Sequence, residues 1–292
     1  MLSVVCATVS SFAGAQTTDL IFADDFESCG AVTQSIYAID ESGALLRFDP
    51  TLLGSANPVQ SLGTPACTPG ASLTGTDPAY VVSMSVDRIG TVWVLYSSGE
   101  LFTIDPATLA CAATNFTPQQ HGWDLFNLAF AGPGGPSMQS IYIDGGMIDL
   151  SPPVGFALID RGSLQVQALG SLAGADASVA LAGTGDLQLF GLYLAFASTS
   201  HIREIDRSSG ANLSPALTVS GVFDANTVAW AFAHWGGKFW IFATRRDPVS
   251  SEQTTTLWSV DRVSGMQQMQ IASVAYTPIS AGSSTCVPVQ LQ

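Results

Sequence analysis

The chain has 292 residues, 47 % of them hydrophobic and 11 % charged, and its net charge is −14. That hydrophobic content excludes a disordered chain. The acidity, with Lys238 as the one lysine, repels phosphate backbones and anionic lipids and argues against nucleic-acid or membrane-surface partners.

Residues 1–15 read as a secretory signal peptide. An apolar run from Leu2 to Phe12 is followed by the small residues Ala13-Gly14-Ala15. No segment reaches the roughly 18 apolar residues of a membrane span, so export without a span is expected. Residues 16–33 form a polar lead-in, interrupted by Leu20-Ile21-Phe22 and Phe26. Beyond the signal lie Cys29, Cys67, Cys111 and Cys286. Four cysteines in an exported chain suggest two disulfides, with three possible pairings. No Cys-x-x-Cys or histidine spacing supports a zinc site.

From Gln34 onward a phrase repeats. A hydrophobic residue followed by Asp closes a β-rich segment at Phe48-Asp49, Ile104-Asp105, Ile159-Asp160, Ile205-Asp206 and Val260-Asp261. An aromatic precedes each copy, at Tyr37, Trp93, Tyr142, Tyr193 and Trp240. Short strands at a period of roughly 45 to 55 residues indicate a β-propeller. The expectation is an all-β, five-bladed propeller in one domain spanning residues 34–292. Blade two is the most regular, with strands near residues 82–86, 91–96, 101–105 and 111–116 separated by turn residues. Blades three, four and five are expected near residues 125–169, 179–219 and 228–271.

Blade one has three strands, near residues 35–40, 44–49 and 57–62, and lacks its innermost one. A spare strand at residues 278–285 is expected to supply it and close the ring, removing the open edges. That topology favours two disulfides, Cys29–Cys286 as a staple of the ring and Cys67–Cys111 between blades one and two.

Two resemblances bear on this reading. The run Val86-Asp87-Arg88-Ile89-Gly90-Thr91-Val92-Trp93-Val94 loosely resembles the Asp-x-x-Gly-x-x-Trp blade of streptogramin-lyase-like propellers. The segments at residues 83–88, 182–186, 229–237 and 282–286 resemble secreted or surface propeller proteins of myxobacteria and related Gram-negative bacteria. The acidic-aromatic stretch at residues 19–27 is similar to a tag in secreted Gram-negative proteins. These resemblances imply blade boundaries and a secreted or cell-surface location after Gram-negative export. They imply no activity.

The inner strands are expected to line the channel with small or apolar residues, including Ser83, Ser85, Asn127, Ala129, Ala180, Ala182, Ala231, Ala233, Ala281 and Ser283. Glycoside hydrolysis needs two carboxylates about the scissile bond, and no inner strand carries Asp or Glu. Asp87 and Asp186 lie beyond those strands and read as turn residues, and so do the five repeated aspartates. No catalytic residue is assigned. The histidines, His121, His201 and His234, come without a Glu motif that would make a lyase site.

One face carries the longer loops, near residues 145–153 and 245–254. Its connectors bring Gln119, Gln120, His121, Trp123 and Asp124, then Asp176, then Asp224 and Asn226. With His201 and Arg245 these are the candidate ligand-binding residues: hydrogen-bonding groups for hydroxyls and an aromatic ring for stacking. The competing reading packs Trp123 between blades. Asp176 and Asp224 offer carboxylates for calcium without the spacing of a calcium loop, so no cofactor or metal is assigned. The expected function is a noncatalytic, monomeric binding module for an extracellular glycan or protein. The alternative is an extracellular lyase or glycan-active hydrolase that uses loop residues.

Overall fold

The computed structural model describes residues 34–55, 57–132, 139–146, 155–175, 179–196 and 199–290. The expected signal peptide and lead-in, Cys29, Asp176 and the blade-three loop at residues 147–154 lie outside them.

Turn residues punctuate the chain into strands that group into five four-stranded antiparallel sheets. Blade one takes β1 (Ile36–Asp40), β2 (Leu45–Phe48) and β3 (Val59–Gly63). Blade two takes β4 (Val81–Val86), β5 (Val92–Tyr96), β6 (Leu101–Ile104) and β7 (Cys111–Ala113). Blade three takes β8 (Leu125–Ala131), β9 (Ser140–Gly146), β10 (Gly155–Ile159) and β11 (Val166–Gly170). Blade four takes β12 (Ala180–Gly183), β13 (Leu189–Tyr193), β14 (Ser200–Ile205) and β15 (Leu217–Val219). Blade five takes β16 (Thr227–Trp235), β17 (Lys238–Arg246), β18 (Gln253–Asp261) and β19 (Gln267–Val274). The last strand, β20 (Pro278–Ser283), joins the free edge of β1, so blade one has the order β20-β1-β2-β3. Ile36 pairs with Ser283 and Ala38 with Ala281. The fold is therefore a five-bladed propeller closed by its C-terminal strand. Blade five is longer than its sequence pattern indicates, because its hairpins extend to Arg246 and Val274.

Each blade packs on two neighbours, so second strands such as β5 and β13 are buried along their whole length. Apolar clusters fill the blade boundaries. Tyr37 and Ile39 pack on Met84 and Val94 between blades one and two, and Trp93 packs with Phe130 between blades two and three. Blades three and four meet through Tyr142 and Tyr193, four and five through Phe190 and Phe239, and five and one through Trp240 and Phe48. The repeated aromatics thus sit at the boundaries, where one large ring fills the gap between twisted sheets.

The repeated aspartates cap turns. Asp160 Oδ1 accepts from the Gly162 and Ser163 amides, Asp206 Oδ1 from the Ser208 and Ser209 amides, and Asp261 Oδ1 from the Val263 and Ser264 amides. Asp49 and Asp105 accept from Thr51 and Ala107 in the same way. Donation from the Ala107, Ser163 and Ser264 amides and from the Ser208 hydroxyl holds Asp105, Asp160, Asp261 and Asp206 below the usual carboxylate range.

The expected Cys67–Cys111 disulfide is present, with Cα atoms 5.1 Å apart. Cys286 is disulfide-bonded, and the expected partner Cys29 lies outside the described residues. Among the described residues no helix is long and apolar enough to cross a membrane.

Two stability outcomes follow from this topology. Deletion of residues 278–292 opens the ring and bares the edge of β1, so the truncated chain should lose its cooperative thermal transition. Retention of that transition at the parent Tm refutes closure by β20. The Cys67–Cys111 bond closes a loop with a sequence separation of 44, worth about 4 kcal/mol in the chain-entropy treatment. The paired Cys67→Ser and Cys111→Ser variant should lose about 2 to 4 kcal/mol in chemical denaturation, and an unchanged midpoint denies the bond that role.

Candidate functional site

The inner strands β20, β4, β8, β12 and β16 stand side by side around the central axis. All five run in the same direction, so the ring has an upper face where they begin and a lower face where they end. None of the five contains Asp or Glu.

The lower end is closed by polar contacts after β20. Ser284 Oγ donates to the Arg88 carbonyl, Gln139 Nε2 donates to Thr285 Oγ1, and the Arg88 amide donates to Gln139 Oε1. Nearby, Arg161 pairs with Asp87 at 2.5 Å and Arg262 with Asp186 at 2.8 Å, each bridge crossing a blade boundary. His234 is buried at this end against Phe239. Burial pushes its imidazole down to about 3, and the nearby Arg262 acts in the same direction.

The upper end is open. A cavity of about 430 Å³ lies over the axis, lined by Tyr80, Val82, Leu125, Asn127, Val228 and Trp230, with Ile279 at its floor edge. Tyr80 is 44 % exposed and Val228 41 %. Trp230 is half-buried, and the exposed ring of Phe196 lies 5.5 Å from it. A large apolar surface is therefore left bare around one polar amide. A larger cavity of about 770 Å³ adjoins the first, sharing Tyr80, Val81 and Ile279, and runs between blades one and two.

The connector from Thr64 to Tyr80 lines the larger cavity, and Tyr80 at its end borders both. The connector has no strand of its own, yet it is tied along its length. Cys67 is bonded to Cys111, the Gly70 amide donates to Glu100 Oε2 at 2.6 Å, and the Leu73 amide to the Ser97 carbonyl at 2.8 Å. At its end the Tyr80 amide donates to Ser97 Oγ, and the Ser97 amide donates back to the Tyr80 carbonyl. The Tyr80 ring is thus presented by a fixed backbone.

One buried carboxylate lies beside the mouth. Asp144 on β9 pairs in register with Asn127 on β8. It is 1 % exposed, and its Oδ2 accepts from the Val179 amide at 2.5 Å. Burial pushes Asp144 up to about 7, against the opposing effect of that hydrogen bond. Tyr193 is pushed up to about 12, first by burial and then by the neighbouring Asp144.

The residues singled out in the sequence fall in several places. Trp123 is 2 % exposed and packs edge-on to Phe126 in the cluster between blades two and three, so its ring has no open face. Its neighbour Gln120 bridges to blade three through the Leu164 carbonyl and the Val166 amide. His121 is exposed with φ 53°, and Asp124 accepts from Gln119 at 3.2 Å. His201 lies in β14 opposite Tyr193 and Thr218, away from the axis. Asp224, Asn226 and Arg245 do come together. Arg245 lies 3.3 Å from Asp224 and donates to the Gly221 and Val222 carbonyls, and the Asn226 amide donates to Asp224. These contacts tie the connector between blades four and five to β17. Tyr80, Phe196 and Trp230 were not picked out as site residues. The signal available for Trp230 is an aromatic near the start of an inner strand in which alanines alternate with Trp230, Phe232 and His234. Among the described residues no three His, Cys, Asp or Glu side chains cluster as metal ligands.

No protein-family model and no curated protein matches the chain. Solved structures that resemble it include an endo-arabinase from Bacteroides thetaiotaomicron, at 6 % identity over 71 % of this chain and 84 % of that one, TM-score 0.46. Another is a thermostable family-43 glycoside hydrolase, at 9 % identity over 69 % and 77 %, TM-score 0.46. An exo-beta-1,3-galactanase from Phanerochaete chrysosporium is 12 % identical over 64 % of this chain and 49 % of that one, TM-score 0.46. The chain thus spans about half the galactanase's length.

Asp144 makes stability depend on pH. The folded state resists ionising it, so its contribution is most favourable below the ordinary carboxylate value near 4. It declines as pH rises and is least favourable above about 7. The difference converts to about 4 kcal/mol. Asp144→Asn keeps an acceptor for the Val179 amide and should raise stability at pH 7.5 by up to about that amount, with little change at pH 4. Equal stability changes at the two pH values, measured by urea denaturation, would contradict the burial effect.

Proposed function

We propose that this protein is an exported, noncatalytic binding module that holds an extracellular glycan at the upper mouth of its channel. The observation that carries this reading is the pair Tyr80 and Trp230 lining a cavity of about 430 Å³, with the exposed Phe196 ring beside Trp230. Concave sites of this size, mostly apolar with few polar groups, are typical small-ligand sites. The CH face of a sugar ring packs against an aromatic, and Asn127 supplies both a donor and an acceptor for hydroxyls.

Export is supported by the disulfide, because such bonds persist in oxidising compartments, and by the apolar leader in the sequence. A noncatalytic role is supported by the inner strands, which bring no carboxylate pair to the axis. Asp144 is buried on β9, off the inner strands, and is held on a backbone amide.

A glycan array probed with the purified protein tests the reading. We expect selective binding that weakens about tenfold, or about 1.4 kcal/mol, in Tyr80→Ala and again in Trp230→Ala. Met269→Ala, on the exposed outer strand of blade five, should leave it unchanged. Binding that survives both aromatic substitutions places the site elsewhere.

A further inference from the structure

We infer that the upper mouth recognises an N-acetylated sugar, taking the methyl of the acetamido group into a small apolar recess and pairing its amide with Asn127. This rests on the glycan-binding reading of the mouth and names the ligand class for the same site.

The mouth carries no charge. Among the described residues that line it there is no Asp, Glu, Lys, Arg or His. Its walls are aliphatic and aromatic side chains with the Asn127 amide set among them. Asn127 is half-buried, and its backbone is engaged in the ladder with Asp144. Among the described residues no hydrogen bond engages its side chain. A carboxamide in apolar surroundings needs partners for both its donors and its acceptor. Those of Asn127 are open to a ligand.

One step further along the inner strands the channel holds a recess of about 20 Å³, and Asn127, Trp230 and Ile279 border both it and the mouth. That volume admits a single group the size of a water or a methyl. Its walls favour the methyl. The Ser83 and Ser280 hydroxyls there already accept the Leu128 and Met84 amides of neighbouring strands. The remaining lining, Ala180 and Leu181 among it, is apolar apart from Asn127 at the rim.

A group suited to this place has an apolar end of one carbon, followed at once by a donor and an acceptor. The acetamido substituent has that make-up. Its methyl fits the recess, and its carbonyl and N–H meet the donor and acceptor of Asn127, while the sugar ring rests on Tyr80 or Trp230. A hydroxyl in the same position leaves the recess unfilled. A protonated amine or a carboxylate loses its hydration against uncharged walls. A longer acyl chain overfills the recess.

Calorimetric titration of the full protein decides this, at mildly acidic pH, where a sugar amine is protonated. Four β-1,4-linked oligosaccharides of equal length serve as probes: N-acetylglucosamine, N-butyrylglucosamine, glucosamine and glucose. We expect the N-acetylated oligomer to bind at least about tenfold more tightly than the other three. Asn127→Leu should bring its affinity down to that of the glucose oligomer. Ala180→Val, which narrows the recess, should do the same with Asn127 intact, and Tyr80→Ala should weaken all binding. Selectivity of the unaltered protein tests the inference independently of whether either variant folds. Equal binding of the acetylated and glucose oligomers overturns the acetamide inference and leaves glycan binding standing. Tighter binding of the free-amine or butyrylated oligomer overturns it as well, and so does selectivity that survives Asn127→Leu. Acetylated oligolysine binding as tightly as the acetylated sugar makes the partner a modified peptide and overturns the inference. If no saccharide binds, the glycan reading itself fails.

Discussion

The close approach of five strands at one axis governs what this protein can be. Their spacing requires small side chains at the points of contact. A Cβ on Gly183 would run into the Phe130 carbonyl, and one on Gly282 would lie 2.8 Å from Ser85 Cα. Where room remains, serines tie one inner strand to the next. The Leu128 and Phe130 amides of β8 donate to Ser83 and Ser85 of β4, and the Met84 amide of β4 donates to Ser280 of β20. Ser283 of β20 donates in turn to the His234 carbonyl of β16. Edge-like backbone groups that face the axis thus find partners without water. An axis packed in this way leaves little volume for a long acid or base. The accessible chemistry is displaced to the upper mouth, where the strands begin and the connectors diverge.

The two ends of the channel are built on opposite principles. Below, serine, glutamine and threonine side chains are buried against one another and each ion pair joins two blades, while both ring nitrogens of His234 and the Trp235 Nε1 are buried without a hydrogen-bond partner. Asp87 shows how much one side chain can bind together. It accepts from the Ile89 and Thr91 amides of its own turn, from Trp93 Nε1, and from Arg161 of the next blade. Losing it leaves an arginine and an indole without their acceptor, a larger penalty than the loss of a turn alone. Above, apolar rings are left bare and polar groups are sparse. Bare rings cost solvation without stabilising the fold, and such surfaces generally mark a place where something else docks.

The architecture was legible because its causes are local and repeated. Each hydrophobic-Asp phrase encodes a strand end and the turn that follows, and the carboxylate's bonds reach only two or three residues ahead. Closure by β20 was legible from strand arithmetic, since one blade was short and one strand was spare. The candidate site was less legible because its members come from different blades. Tyr80 ends a connector, Phe196 follows β13 and Trp230 lies in β16, and no spacing in the sequence brings them together. Trp123 shows the converse. A tryptophan among Gln, His and Asp in a connector has the composition of a binding loop, yet its ring turns inward onto Phe126. Polar neighbours report where the backbone is exposed, and a side chain at the same position is free to point into the core.

Stability and the candidate site meet in the connector from Thr64 to Tyr80. Segments of this length without secondary structure are uncommon in small-looped folds and are usually functional or disordered. This one is neither loose nor part of a sheet. The disulfide fixes it near its start and the reciprocal Tyr80–Ser97 bonds fix its end, with Glu100 and the Ser97 carbonyl holding the middle. Ordering such a backbone costs about 1 to 2 kcal/mol per residue, and the loop buries little apolar surface of its own to offset that cost. The disulfide lowers it by restricting the unfolded chain. The disulfide then does more than stabilise the ring. It holds the connector that lines the larger cavity and ends at Tyr80, which borders both.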